Sequence, residues 1–142
     1  IVGSIKVKTG KWLVYSGNGF KKQSYLLPPG DYATPLALTA VEQTHIDLWT
    51  AEVGSFRLIT PNSLMIFEDD YFRGDVEVLK NSNPSIKTSD SCSLIIEPAA
   101  HWRLFDHEQY RGKACEAIPG YYTKEDIEKN LGVTSIGSAE RI

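Results

Sequence analysis

The stretch Ser63-Leu64-Met65-Ile66-Phe67-Glu68-Asp69-Asp70-Tyr71-Phe72-Arg73-Gly74-Asp75-Val76-Glu77-Val78-Leu79 decides the fold. Leu64 and Ile66, then Val76 and Val78, alternate with other residues as a half-buried strand requires. The acidic Glu68-Asp69-Asp70 between two aromatics marks an exposed hairpin tip. Gly74, two residues after Phe72, permits a positive φ or a close backbone approach that a Cβ would forbid. The spacing predicts a hairpin folded over on itself and pinned by its own aromatic rings.

The same pattern returns in Phe105-Asp106-His107-Glu108-Gln109-Tyr110-Arg111-Gly112, and more weakly in Tyr15-Ser16-Gly17-Asn18-Gly19-Phe20-Lys21-Lys22. A second marker travels with it, a serine that opens a short apolar run, at Ser4, Ser55, Ser93 and Ser135. From serine to the next hairpin aromatic the distance is 11 residues for Ser4 to Tyr15, then 12 for Ser55 to Phe67 and 12 for Ser93 to Phe105. Two markers that keep step in this way identify an internal repeat.

An aromatic-acid-x-x-x-aromatic-x-Gly hairpin followed by a serine-led strand resembles the Greek-key motif of the βγ-crystallin superfamily. The match is complete at Phe67–Leu79 and close at Phe105–Glu116. At Tyr15 it departs, with Ser16 in place of the acid and Lys22 in place of the glycine, which predicts a looser hairpin. The resemblance covers nearly the whole chain, and its closest character is that of the non-lens, invertebrate, geodin-like members.

The resemblance implies an all-β fold, a βγ-crystallin-like Greek-key β-sandwich in which two keys share a domain and each sends one strand into its partner's sheet. Trp12 with Pro29-Gly30-Asp31-Tyr32, and Trp102 with Pro119-Gly120-Tyr121-Tyr122, resemble B-type keys; the middle repeat, lacking both features, resembles an A-type key. The order is then B-A-B after an orphan strand at Ile5–Lys8. Residues 61–142 supply a complete two-key domain. Residues 1–60 supply an incomplete unit of the orphan strand plus one B-type key, to be completed by upstream sequence, by another copy of the chain in a homodimer, or by an arrangement the motifs do not reveal. The start Ile1-Val2-Gly3 without a methionine points to a processed or excised chain.

With 15 Lys and Arg against 18 Asp and Glu, the net charge is -3 and the lysines are scattered, so the basic stripe that nucleic acid demands is missing. No apolar run approaches the roughly 20 residues needed to span a bilayer. Cys92 and Cys115 form no metal-ligand spacing and are expected as small apolar residues, with a single bridge between them left open. Tyr32 and Tyr122, each after a Pro-Gly turn, are placed to return a hydroxyl to loop backbone. Trp49 is expected to fill core volume. Short helical turns are expected within Thr34–Gly54 and over Lys124–Asn130, the latter stopped by Gly132.

Catalysis has no visible address. The Ile-Val-Gly start resembles that of trypsin-like proteases, but no Gly-Asp-Ser-Gly segment follows, and His45, His101 and His107 sit in no triad-like context. Calcium is the ionic alternative, since hard cations take oxygen ligands from tight loops. In calcium-binding members of the resembled family, a loop Asn/Asp-Asn/Asp-x-x-Ser/Thr-Ser precedes the last strand of each key, facing the acid of the other key's hairpin. Asn130-Leu131-Gly132-Val133-Thr134-Ser135 matches at Asn130, Thr134 and Ser135 and departs at Leu131. Asn130, Gly132 and Thr134 with Glu68 are therefore one candidate site. A second, weaker one combines Ser89, in Thr88-Ser89-Asp90-Ser91-Cys92-Ser93, with Asp106. Without metal, these serines would serve as loop caps. The function expected is a non-enzymatic structural or calcium-binding protein. The alternative carried by the same superfamily is a toxin, toxin-partner or protease-inhibitor member acting by protein–protein binding.

Overall fold

A computed structural model describes residues 5–15, 18–21, 24–32, 37–39, 45–47, 55–88, 92–99 and 101–142. The chain divides into two compact units, Ile1–Ile59 and Thr60–Ile142.

In the second unit, β8 (Leu64–Asp69) turns through Asp70–Phe72 into β9 (Arg73–Leu79), and β10 (Ser93–Ile96) adds to the other side of β8. The second repeat gives β11 (Trp102–His107), β12 (Arg111–Ala117), β13 (Gly120–Tyr122) and β14 (Ser138–Arg141). The two sheets run β13-β10-β8-β9 and β12-β11-β14. Thus β13, from the second repeat, lies in the first repeat's sheet. In return Asn83 bridges Ala139 on the free side of β14, with Asn83 N to Ala139 O at 2.8 Å and Ala139 N to Asn83 O at 3.0 Å. This exchange makes the unit a paired Greek-key sandwich, the all-β architecture expected from the sequence.

Between the sheets lies a core of Leu64, Ile66, Leu79, Ile86, Leu94, Ile96, Trp102, Leu104, Tyr122, Ile127, Leu131, Val133, Ile136 and Ala139, with Cys92 buried and Cys115 half-buried against it, both as free thiols. Strand β8 is buried on both faces, unlike the half-buried strand its alternation suggested. On the second face the ring of Phe72 folds back over Phe67. Tyr122 sends its hydroxyl to the Ile118 carbonyl at 2.7 Å, as expected; the side chain of Tyr32 lies outside the described residues. Helix α1 (Lys124–Asp126) opens with a capping box between Thr123 and Asp126 and runs into a wider turn over Ile127–Leu131. Gly132 ends it with φ at 70°.

In the first unit, β2 (Trp12–Tyr15) pairs with β3 (Ser24–Leu27) and β7 (Ser55–Leu58), while β1 (Ile5–Val7) pairs with β4 (Gly30–Tyr32). The register of β1 on β4, Ile5 to Tyr32 and Val7 to Gly30, repeats that of β10 on β13, Leu94 to Tyr122 and Ile96 to Gly120. β1 therefore occupies the place of a key's last strand.

Residues 34–54 do not form the expected helical turn in their described part. β5 (Ala37–Thr39) and β6 (His45–Asp47) instead pair as an antiparallel ribbon. The stretch carries no sustained helical period, and backbone pairing satisfies its polar groups equally well. Trp49, Ser4, Ser16, Lys22 and Ser89 lie outside the described residues.

Candidate functional site

Each repeat carries one device, built from residues far apart in sequence. At the hairpin tips Phe20, Phe72 and Tyr110 adopt left-handed backbone with φ of 60°, 60° and 57°. That conformation costs a non-glycine residue roughly 1–2 kcal/mol. Three contacts offset it. The ring packs edge-on against the strand aromatic, with centroids 5.5 Å apart for Tyr15–Phe20, 5.6 Å for Phe67–Phe72 and 5.7 Å for Phe105–Tyr110. The tip N–H donates to the serine opening the key's last strand, Phe20 to Ser55 at 3.0 Å, Phe72 to Ser93 at 2.9 Å and Tyr110 to Ser138 at 3.0 Å. In the two later repeats the same hydroxyl donates onward, Ser93 to Asp69 O and Ser138 to His107 O, each at 2.6 Å. The first hairpin shares the ring contact and the serine bond despite its departures from the motif.

Gly74 and Gly112 follow the tips with φ of 81° and 83°. A Cβ on Gly112 would collide with the Asp106 carboxylate and the His107 ring, and one on Gly74 would lie 3.0 Å from the carboxylates of Asp69 and Glu68. The glycines let the acids fold back across the second strand.

The third clamp serine is Ser138, where the sequence pattern had pointed to Ser135. Strand β14 begins three residues later than expected, because Val133 and Ile136 are buried loop residues and supply the apolar signal read as a strand. Gly137 precedes the clamp, and its Cβ would sit 2.5 Å from the His107 carbonyl carbon, so only glycine fits the press of loop on hairpin. The pair Gly-Ser, also present as Gly54-Ser55, is the sequence signal that distinguishes the clamp. Counted back from Ser138, the loop hexamer is Val133-Thr134-Ser135-Ile136-Gly137-Ser138, with no Asn or Asp in its first two places.

The candidate calcium ligands distribute accordingly. Asn130 is exposed on the last turn before Gly132, and Thr134 is exposed beyond it. The Lys113 ammonium lies 3.2 Å from where a Cβ of Gly132 would be, which puts a cation over that loop. Asp106 accepts from the Lys113 backbone N–H at 2.7 Å and has His107 Nε2 at 4.0 Å. Glu68 is exposed and lines a groove of about 330 Å³ with Ile66, Phe67, Asp75, Glu77, Lys87 and Thr88, a lining that includes none of Asn130, Gly132 or Thr134. Among the described residues no three His, Cys, Asp or Glu side chains are grouped to hold a metal. An ammonium over Gly132 and an Asp106 oxygen already engaged do not suit a divalent cation at Asn130–Ser135.

The loops of the two keys meet at Thr88, which the sequence did not single out. Its hydroxyl accepts from Ile136 N at 3.0 Å and donates to Ile136 O at 3.3 Å. Asp70 similarly joins the keys: its Oδ1 accepts from Tyr71 N and from Lys124 N, both at 2.8 Å. On the outer face of the second sheet Arg103 lies between Glu116 and Glu140, each at 3.1 Å. In the first unit the Arg57 guanidinium stacks 3.5 Å from the Phe20 ring centroid, and burial pushes the Tyr15 hydroxyl up to about 12 against the opposing pull of Arg57. Burial likewise raises the Cys115 thiol and the Tyr122 hydroxyl.

Strand exchange, folded-over hairpins and serine clamps together define a double Greek-key sandwich. A sequence profile of the Beta/Gamma crystallin family matches residues 1–59. The chain is 27% identical over 124 residues to Development-specific protein S of Myxococcus xanthus, covering 82% of this chain and 66% of that one. It is 26% identical over 145 aligned positions to Gamma-crystallin B of Bos taurus, covering 98% and 78%. The solved structure of Geodin, a beta-gamma crystallin from Geodia cydonium, superposes with a TM-score of 0.71 at 23% identity, covering 100% of this chain and 86% of that one. The chain belongs to the βγ-crystallin superfamily.

Proposed function

We propose that this chain is a non-enzymatic structural module whose work is to persist in a folded, strained-hairpin form. The observation that carries the reading is the threefold recurrence of one device: a left-handed aromatic tip held by a ring contact and a serine clamp. The conserved geometry is spent on locking hairpins, and the polar groups at their bases are occupied by backbone partners, as Asp106 is by Lys113 N. His107, beside Asp106 on a tip, is a solvated turn residue.

A second reading, a calcium-responsive module, is supported at the other loop, where Glu68 and Thr88 line one groove at the start of the segment leading to Ser93. One experiment separates the two. Thermal unfolding of chelator-treated chain is followed with and without millimolar calcium, alongside Glu68→Ala. The structural reading expects midpoints that agree within about 1 °C. Calcium binding at 100 times its Kd would add about 2.7 kcal/mol, a shift of roughly ten degrees or more for a unit of this size. Such a shift, abolished by Glu68→Ala, would replace the first reading with the second.

A further inference from the structure

The first unit exposes what the second buries. Aligning the clamp serines Ser55 and Ser138 sets Phe56 of β7 opposite Ala139 of β14. Ala139 is fully buried in its core, whereas Phe56 is 64% exposed. Register fixes the face: Trp12 and Leu58 pair, as do Val14 and Phe56, so all four point to the side that Trp102, Leu104 and Ala139 take in the second unit. Trp12 and Phe56 touch edge-on at 5.8 Å, and Leu58 is 43% exposed beside them. This is the inner face of a sandwich, uncovered.

Two sheet edges bound that face. In the second unit, β10 has β8 on the side away from β13, and β14 has Asn83 on the side away from β11. Among the described residues no strand takes the place of β8 on β1, and none takes the place of Asn83 on β7. The uncovered face and both edges are the positions that β8, β9 and the Asn83–Ile86 segment fill in the second unit. Those strands are engaged in their own core, so the 142 residues hold no spare set.

We propose that the open half of the first unit is a docking surface for a partner protein that contributes an acidic, amphipathic β segment of three strands, with the make-up of Leu64–Ile86. Charge selects this occupant over a second copy. Residues 1–59 carry six Lys and Arg against four Asp and Glu, so two copies would bring net positive charge together. The hairpin Leu64–Leu79 carries five carboxylates and one arginine, and its apolar alternation suits the Trp12, Phe56 and Leu58 face. Added strands would satisfy edge backbone groups while alternate side chains cover the apolar face, the mode of β-augmentation.

The test uses the intact chain and a synthetic peptide of the sequence Ser63–Thr88 as the probe. Calorimetry is expected to give 1:1 binding, and hydrogen exchange new protection at Val7, Phe56 and Leu58. Phe56→Asp, at a side chain already exposed and therefore compatible with folding, should weaken binding at least tenfold; Leu58→Asp should repeat the effect. The unfolding transition of residues 60–142 should be unchanged in both variants. Three results would overturn the proposal: no binding, protection confined to residues 60–142, or a concentration-dependent dimer of the chain alone that Phe56→Asp dissociates.

Discussion

Replacing Ser93 by alanine tests the clamp directly. Its hydroxyl is fully buried, accepting from Phe72 N at 2.9 Å and donating to Asp69 O at 2.6 Å. The substitution removes two hydrogen bonds and leaves Phe72 N, on a residue 1% exposed, without the acceptor that Ser93 supplied. Leaving such a buried donor unsatisfied costs about 1–3 kcal/mol, and the carbonyl, with its second lone pair, adds less. The left-handed strain at Phe72, roughly 1–2 kcal/mol, loses one of its restraints. The expected loss is about 3 kcal/mol. For a unit of this length that lowers the midpoint of its thermal transition by roughly 12–24 °C. Urea unfolding followed by near-ultraviolet absorbance of Trp102 and the tyrosines would report the second unit, with Ser55→Ala as the counterpart in the first. A loss below 1 kcal/mol would refute the reasoning, since the tip would then be held by its rings alone. A Ser93→Ala, Phe72→Ala double-mutant cycle measures how much of the restraint the two share.

Gly112→Ala forces a Cβ into the Asp106 carboxylate and His107 ring at a φ of 83°; destabilisation of about 2 kcal/mol or more is expected by denaturant titration, with Gly19→Ala, where nothing lies within 4 Å, smaller and due to φ alone. Arg103→Met should cost less than about 1 kcal/mol, because Arg103, Glu116 and Glu140 are 39%, 70% and 41% exposed, and the difference should fade in 1 M salt. Tyr15 sets an alkaline limit on the first unit. Its hydroxyl is held at about 12 in the fold against about 10 when unfolded. Stability is complete below pH 10 and falls by roughly 2–3 kcal/mol by pH 12, because the unfolded chain ionises first; denaturant titration of Tyr15→Phe across that range should show a flatter profile. Cys115, raised by burial, and Cys92, fully within the core, should react with thiol reagents at neutral pH far more slowly than a free thiol, until denaturant is added.

The fold was legible in the sequence where its determinants are local or regularly spaced. Phe67, Phe72 and Gly74 fall within eight residues, so the hairpin and its aromatic lock could be read directly. Ser93 could be assigned because its distance to Phe105 repeats an earlier interval. Ser138 was missed because Ser135-Ile136 imitates a strand opening, while Val133 and Ile136 owe their apolar character to a loop tucked into the core. The ribbon of β5 and β6 was hidden for a related reason: three-residue strands are too short to show a period. At the candidate calcium loop, the residue types were readable but their surroundings were not. Lys113 reaches Gly132 only through the register of β12 against a turn nineteen residues later, a juxtaposition that sequence spacing does not encode. Thr88 joins Ile136 across forty-eight residues in the same way.

The clamp also dictates an order of events. A tip such as Asp70–Phe72 can close only once Ser93, twenty-one residues downstream, has arrived, so each hairpin waits on a non-local contact. Pairing of β8 with β9 can precede it, but the left-handed turn is the last feature to set. Loop-closure entropy thereby enters the folding barrier of every key, which favours slow, cooperative folding of a pair over folding of one key. Run in reverse, the same dependence makes the tips the first places to open, and hence where a protease or exchanging solvent first gains access to a chain whose strands are still intact.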